Sequence, residues 1–254
     1  MGLLVIDESN VAGIPALIVV DQEKINAPLP LVIFWHGWTS GKESYLRFAY
    51  LAAKEGFRVV IPDATGHGER LEELTEQERK FGFWQVVLQN IRETQMIKDN
   101  FESKGLILNG RIAVAGSSMG GLTTFGCLKA YDWIKVGVSL MGTPNFIDYA
   151  DRLITEFAKA GVDIPFSNEQ IQHLMAALSP FDLSQTPEKL GQRPLLFWHG
   201  VKDSVVPFDQ DYQFYTSLKE NGNENIHFIK DPNAGHKVSR EGLFAFADWL
   251  KKYL

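Results

Sequence analysis

Apolar residues along this chain gather into short runs, and longer stretches of helical periodicity separate those runs. Residues 31–35 (Leu-Val-Ile-Phe-Trp), 57–63, 111–115, 136–141, 194–198 and 226–229 are runs of four to seven residues dominated by branched and aromatic side chains. Such runs are what parallel strands present when helices cover both faces of their sheet. Helical patterns occupy 42–55, 83–103, 122–129, 209–221 and 238–253, and Gly56 supplies a C-terminal cap for the first of them. Residues 3–6 and 14–20, joined by a turn region at 10–13, read as two edge strands, a position that suits Pro15.

The alternation lapses between residues 144 and 193, which hold helical patterns at 149–160 and 168–178 and no convincing strand. The expected architecture is α/β: a mostly parallel central sheet of about eight strands with helices on both faces. It forms one domain over 1–254, with 144–193 inserted as a small helical cap over the carboxyl ends of the strands, where such sheets bind ligands.

Composition acts mainly by exclusion. With 254 residues, 45% hydrophobic and 22% charged, the chain has the make-up of a globular protein with a substantial core. A net charge of -6 argues against nucleic acid as the main partner. No apolar run approaches the ~20 residues that span a membrane, and no signal-peptide pattern opens the chain. One cysteine, Cys127, excludes a disulfide framework and fits a reducing cytoplasm, with its thiol read as a small apolar filler. Monomer and homodimer both remain open.

The chemistry centres on 112–121, Ile-Ala-Val-Ala-Gly-Ser-Ser-Met-Gly-Gly. A buried strand runs into Gly116-x-Ser118-x-Gly120 and then into a helix, the context of a nucleophile elbow. Glycines let strand and helix approach around the turn, so the Ser118 hydroxyl projects above the sheet edge. A serine nucleophile needs a histidine base oriented by a carboxylate, in the chain order Ser, acid, His. Asp203 follows the run 194–198, and His236 follows the run 226–229, each in a loop at the same sheet edge as Ser118. Asp209 and Asp211 read instead as a solvated N-terminal helical turn, and Asp231 as a turn residue. Among the other histidines, His36 and His199 read as loop braces, His227 as a strand residue and His173 as a surface or cap residue. The oxyanion donors are expected to be the backbone N–H groups of Met119 and Trp38. Trp38, Phe81, Trp84, Phe146, Phe157 and Phe166 are candidates to line an apolar pocket, with core packing the alternative for each. His67, with Trp84 and Phe146, is a candidate substrate contact. Glu69, Arg70 and the charged run to Lys80 read as a solvated face or as a contact for a polar substrate end.

With His36-Gly37-Trp38, Gly116-x-Ser118-x-Gly120, Asp203 and Ala234-Gly235-His236 in register, the chain resembles the α/β-hydrolase superfamily over nearly its full length. His199-Gly200-x-x-Asp203-x-x-Val206-Pro207 and Asp63-Ala64-x-Gly66-His67-Gly68 are similar to loops of its prolyl-oligopeptidase-like and dienelactone-hydrolase-like branches. The resemblance is to small carboxylesterases of that group. It implies hydrolysis of short-chain carboxylic esters through a serine acyl-enzyme, with no metal or organic cofactor and a small-molecule ester as the partner. Dienelactone hydrolases carry cysteine where this chain has Ser118, and prolyl oligopeptidases add a propeller domain that does not fit in this length. Thioesterase, deacetylase and small-substrate peptidase chemistry share the same triad, and a non-catalytic binding protein shares the same scaffold.

Overall fold

In the computed structural model, which describes residues 2–254, eight strands form one sheet in the order β1-β2-β4-β3-β5-β6-β7-β8. They are β1 (Leu4–Val11), β2 (Ile14–Asp21), β3 (Leu29–Trp35), β4 (Arg58–Pro62), β5 (Ile107–Ser117), β6 (Val136–Leu140), β7 (Leu195–Gly200) and β8 (Ile226–Asp231). β2 pairs antiparallel with β1 and β4, and every pairing from β4 to β8 is parallel. Every residue of β3, β4, β6 and β7 is buried, which is why these segments read as predominantly apolar runs. The crossovers carry the helices α1 (Leu46–Lys54), α2 (Glu76–Phe81), α3 (Phe83–Ser103), α4 (Met119–Ala130), α5 (Phe146–Lys159), α6 (Asn168–Leu178), α7 (Phe208–Glu220) and α8 (Arg240–Tyr253). The apolar faces of α3, α4 and α7 cover one side of the sheet; those of α1 and α8 cover the other. This is the α/β-hydrolase arrangement.

Two local expectations are corrected. Only β1 of the N-terminal pair lies at an edge, because β2 also pairs with β4. Pro15 is tolerated inside that ladder through a substitute donor. The Asp63 N–H donates to the Pro15 carbonyl at 2.9 Å, while the Asp63 carbonyl, which proline cannot serve, accepts from Arg70 Nη1 at 3.0 Å. The charged run is not simply a solvated face either. Within it, Arg70 is 8% exposed and paired with Glu93 at 2.8 Å, and Glu69 accepts from the buried Lys42 Nζ at 2.6 Å. Between β6 and β7 lie α5, α6 and three short 3-10 turns. Ser167 opens α6 with a capping box to Gln170.

Candidate active site

The turn from β5 into α4 is strained at one residue. Ser118 has φ 55° and ψ -116°, a conformation that costs a non-glycine residue on the order of 1–3 kcal/mol. Its N–H donates to the Leu140 carbonyl at 2.8 Å, and its carbonyl accepts from Leu122 N–H at 3.0 Å, so both neighbouring elements hold the turn. A Cβ on Gly116 would stand 2.3 Å from the Gly120 carbonyl group, and one on Gly120 would stand 2.0 Å from the Trp35 carbonyl oxygen. The end of β3, the elbow and the first turn of α4 therefore meet backbone to backbone.

The loops after β7 and β8 are joined across Gly200, where a Cβ would lie 2.5 Å from the Ala234 and Gly235 carbonyl oxygens. Lys202 N–H donates to the Ala234 carbonyl at 3.0 Å, and Asp231 Oδ1 accepts the amides of Asn233 and Ala234, each at 3.0 Å. Asp231 is thus a turn residue that shapes the His236 loop. On this frame His236 Nδ1 donates to Asp203 Oδ2 at 2.7 Å, and Ser118 Oγ donates to His236 Nε2 at 2.8 Å. Asp203 has a fully buried side chain, and its Oδ1 accepts the amides of Val205 (2.9 Å) and Val206 (3.0 Å). Burial alone would raise its pKa; the adjacent imidazoles of His199 and His236 outweigh that and hold it below the usual carboxylate range.

The loop after β3 is braced by His36. Its Nε2 accepts the Ala64 N–H at 3.0 Å, so Nδ1 carries the proton and donates to the Gly37 carbonyl at 2.8 Å. Gly37 N–H donates to the Tyr45 hydroxyl at 3.2 Å. The next amide, that of Trp38, meets no backbone acceptor among the described residues. Met119 opens α4, where an amide has no intrahelical acceptor and the helix dipole is positive. Burial lowers the pKa of His36 from 6.5 to about 4. A depressed folded-state pKa contributes stability above pH 6.5 that is lost as pH falls from 6.5 through about 4, worth about 3 kcal/mol in total. Urea titrations at pH 7 and pH 4.5 are expected to show this loss, and His36→Gln to flatten that part of the pH dependence.

Ser118 opens onto a cleft of about 580 Å³ between the sheet edge and α5–α6. Trp38, Phe81, Trp84, Phe157 and Phe166 line it, as the sequence suggests. Phe146 does not: it is fully buried, packed on Trp84 with ring centroids 5.1 Å apart, because α5 starts three residues earlier than its pattern implied and turns that ring inward. His67 is likewise buried, its Nδ1 donating to the Thr65 carbonyl and its ring edge-on to Trp38 at 4.7 Å. It supports Trp38 from behind and does not line the cleft. Tyr149 and Leu153, i and i+4 on α5, and Ile171 and Leu174, i and i+3 on α6, do line it, and only that spacing on amphipathic helices hinted at this. A larger and more polar cavity of about 780 Å³ borders α2 and α3 but does not reach Ser118. Cys127 is fully buried, with burial pushing its thiol up to about 12.

The sequence model of the prolyl oligopeptidase family matches residues 44–254. The chain belongs to this family. It is 48% identical over 255 residues to YitV of Bacillus subtilis (strain 168), an esterase by provisional name, a match covering 99% of this chain and all of that one. It is 30% identical over 254 residues to esterase YjfP of Escherichia coli (strain K12), covering 99% of this chain and all of the relative. Among solved structures, TT1662 from Thermus thermophilus superposes with a TM-score of 0.71 at 20% identity over 98% of both chains. The Pyrococcus furiosus esterase Pf2001 gives 0.64 at 21% identity over 99% of this chain and 93% of that one. At these identities the structures speak for the fold. Full-length esterase relatives and the family match make the chain an esterase-like serine hydrolase of the prolyl oligopeptidase family.

Proposed function

We propose that the protein hydrolyses short-chain carboxylic esters through an acyl-enzyme on Ser118. The observation that carries this reading is the unbroken hydrogen-bond chain Ser118–His236–Asp203 at the mouth of an apolar cleft. Ser118 Oγ attacks the ester carbonyl carbon as its proton passes to His236 Nε2. The carbonyl oxygen becomes an oxyanion and accepts from the Met119 and Trp38 N–H groups. Collapse breaks the bond to the alkoxy oxygen, which leaves with the proton from His236. Water then attacks the acyl carbon, gives its proton to His236, and the acid departs as Ser118 recovers that proton. Asp203 holds the imidazole tautomer and stabilises its cation. The chain is read as one catalytic domain, with 144–193 as a cap whose α5 and α6 form the far wall of the acyl site.

A cleft of about 580 Å³ is in the size range of sites for ligands larger than acetate. Each methylene moved from water into it is worth about 0.8 kcal/mol. Against p-nitrophenyl esters, kcat/KM is expected to rise roughly tenfold from acetyl to butyryl. A maximum at long-chain acyl groups would contradict the short-chain reading. A fluorophosphonate probe that leaves the folded protein unlabelled would overturn the serine hydrolase mechanism itself.

A further inference from the structure

The imidazole of His199, at the end of β7, is fully buried between two carboxylates and a carbonyl. Its Nδ1 lies 2.9 Å from Asp211 Oδ2; its Nε2 lies 3.1 Å from the Val206 carbonyl oxygen and 3.3 Å from Asp203 Oδ2. The Val206 carbonyl and the ionised Asp203 beside Nε2 are both acceptors, which places a proton on Nε2, while Nδ1 and Asp211, whose carboxyl pKa burial pushes up, share the proton on the other side of the ring. Asp211 sits in the first turn of α7, where its sequence position suggests a solvated carboxylate. It is fully buried instead, and its contact is the His199 ring. A buried ionisable cluster of this kind is expensive to build, and it abuts the oxygen that His236 uses.

We propose that His199 is a positioning residue for the hydrolytic site: its ring, anchored on Nδ1 by Asp211 and through Nε2–H by the Val206 carbonyl, sets Nε2 3.3 Å from Asp203 Oδ2 and so holds that carboxylate in the orientation that receives His236 Nδ1–H. This rests on the serine hydrolase reading above. With it, Asp203 has three hydrogen-bond donors, the Val205 and Val206 amides on Oδ1 and His236 on Oδ2, and His199 Nε2 as a further polar neighbour 3.3 Å from Oδ2. The other groups around the ring leave its proton with these carboxylates. Phe208 of α7 is edge-on at 5.8 Å. Tyr149 of α5 donates to the Val205 carbonyl at 3.4 Å. Lys230, the register partner of His199 on β8, holds its amine 3.4 Å from the Tyr212 ring centroid. His236 is reached only through Asp203.

Burial opposes a charged His199, but the neighbouring carboxylates of Asp203 and Asp211 outweigh it and raise the ring to about 9. The raised value means that its contribution to stability is complete below pH 6.5 and is lost as pH rises through about 9. The support for Asp203 disappears over the same interval.

The test combines nitrogen-15 NMR of histidine-labelled protein with steady-state kinetics on p-nitrophenyl butyrate. The His199 ring is expected to keep Nε2 protonated at pH 7 and to titrate near pH 9. His199→Leu, which offers no donor, is expected to lower kcat about tenfold with KM within twofold of wild type. His199→Gln, whose amide donates like Nε2–H but does not titrate, is expected to restore most of kcat and to remove an alkaline decline near pH 9. An Nε2 without its proton at pH 7, or a folded His199→Leu protein with unchanged kcat, would overturn the proposal. A wild-type protein inert toward every ester would instead sink the hydrolase reading, while the NMR titration still reports on the ring.

Discussion

Alanine at position 118 is expected to reduce kcat/KM toward p-nitrophenyl esters by at least three orders of magnitude and to abolish fluorophosphonate labelling. The substitution removes the atom to which His236 Nε2 is hydrogen-bonded, and with it the covalent route. What survives is water attack helped by the oxyanion donors and binding alone, the residue of activity typical when one member of such a triad is deleted. The fold is expected to persist. The φ of 55° at Ser118 is imposed by the hydrogen bond from its N–H to the Leu140 carbonyl and by the packing of Gly116 on Gly120, neither of which involves the hydroxyl. Alanine is as strained there as serine, so the Tm is expected to stay within a few degrees of wild type. Activity above a tenth of wild type, measured on protein free of the parent enzyme, would remove Ser118 from the mechanism.

Some parts of this fold and site are legible in the sequence, and the physical reason differs from part to part. The parallel strands can be read because burial on both faces writes itself as predominantly apolar runs, and α3 and α6 because long periodic stretches end at clear breakers. Ser118, Asp203 and His236 stand at strand ends, and the register of a parallel sheet brings such ends to one edge, which is why residues 118 positions apart in the chain are found 2.8 Å apart. Burial of individual polar side chains is not written locally. Asp211 looks like any acid in a first helical turn, since its partner His199 lies 12 residues earlier across a loop. Arg70 and Glu93, 23 residues apart, are ordinary surface types until the fold encloses them. His67 and Phe146 failed as cleft residues because a shift of a few residues in a loop or a helix start decides which way a ring faces, and that choice belongs to tertiary packing.

Gly120→Ala is expected to be the most damaging single-methyl change in the molecule. Helix propensity favours alanine over glycine in α4 by about 1 kcal/mol. Space decides the sign the other way. The added Cβ would lie 2.0 Å from the Trp35 carbonyl oxygen, 2.6 Å from its carbon and 3.0 Å from the His36 carbonyl oxygen. All three are backbone atoms of β3 and of the loop that follows it, so no side-chain rotation relieves the overlap. α4 must retreat from β3, which parts the two elements that present the Met119 and Trp38 amides. Overpacking of this kind costs 1–3 kcal/mol where side chains can yield, and about 3 kcal/mol or more where only backbone can. For a chain of this size that is a fall in Tm of roughly 6–12 °C. Esterase activity is expected to fall more than a hundredfold in whatever folded protein remains, through loss of an oxyanion donor. Gly110→Ala is the control: its φ of +65° strains alanine, but no heavy atom beyond its chain neighbours lies within 4 Å of the new Cβ, so it carries the backbone cost without the collision. Thermal denaturation in which the two variants lose equal stability would mean that conformation rather than contact governs these glycines, and the tight junction of β3 with the elbow would no longer explain Gly120.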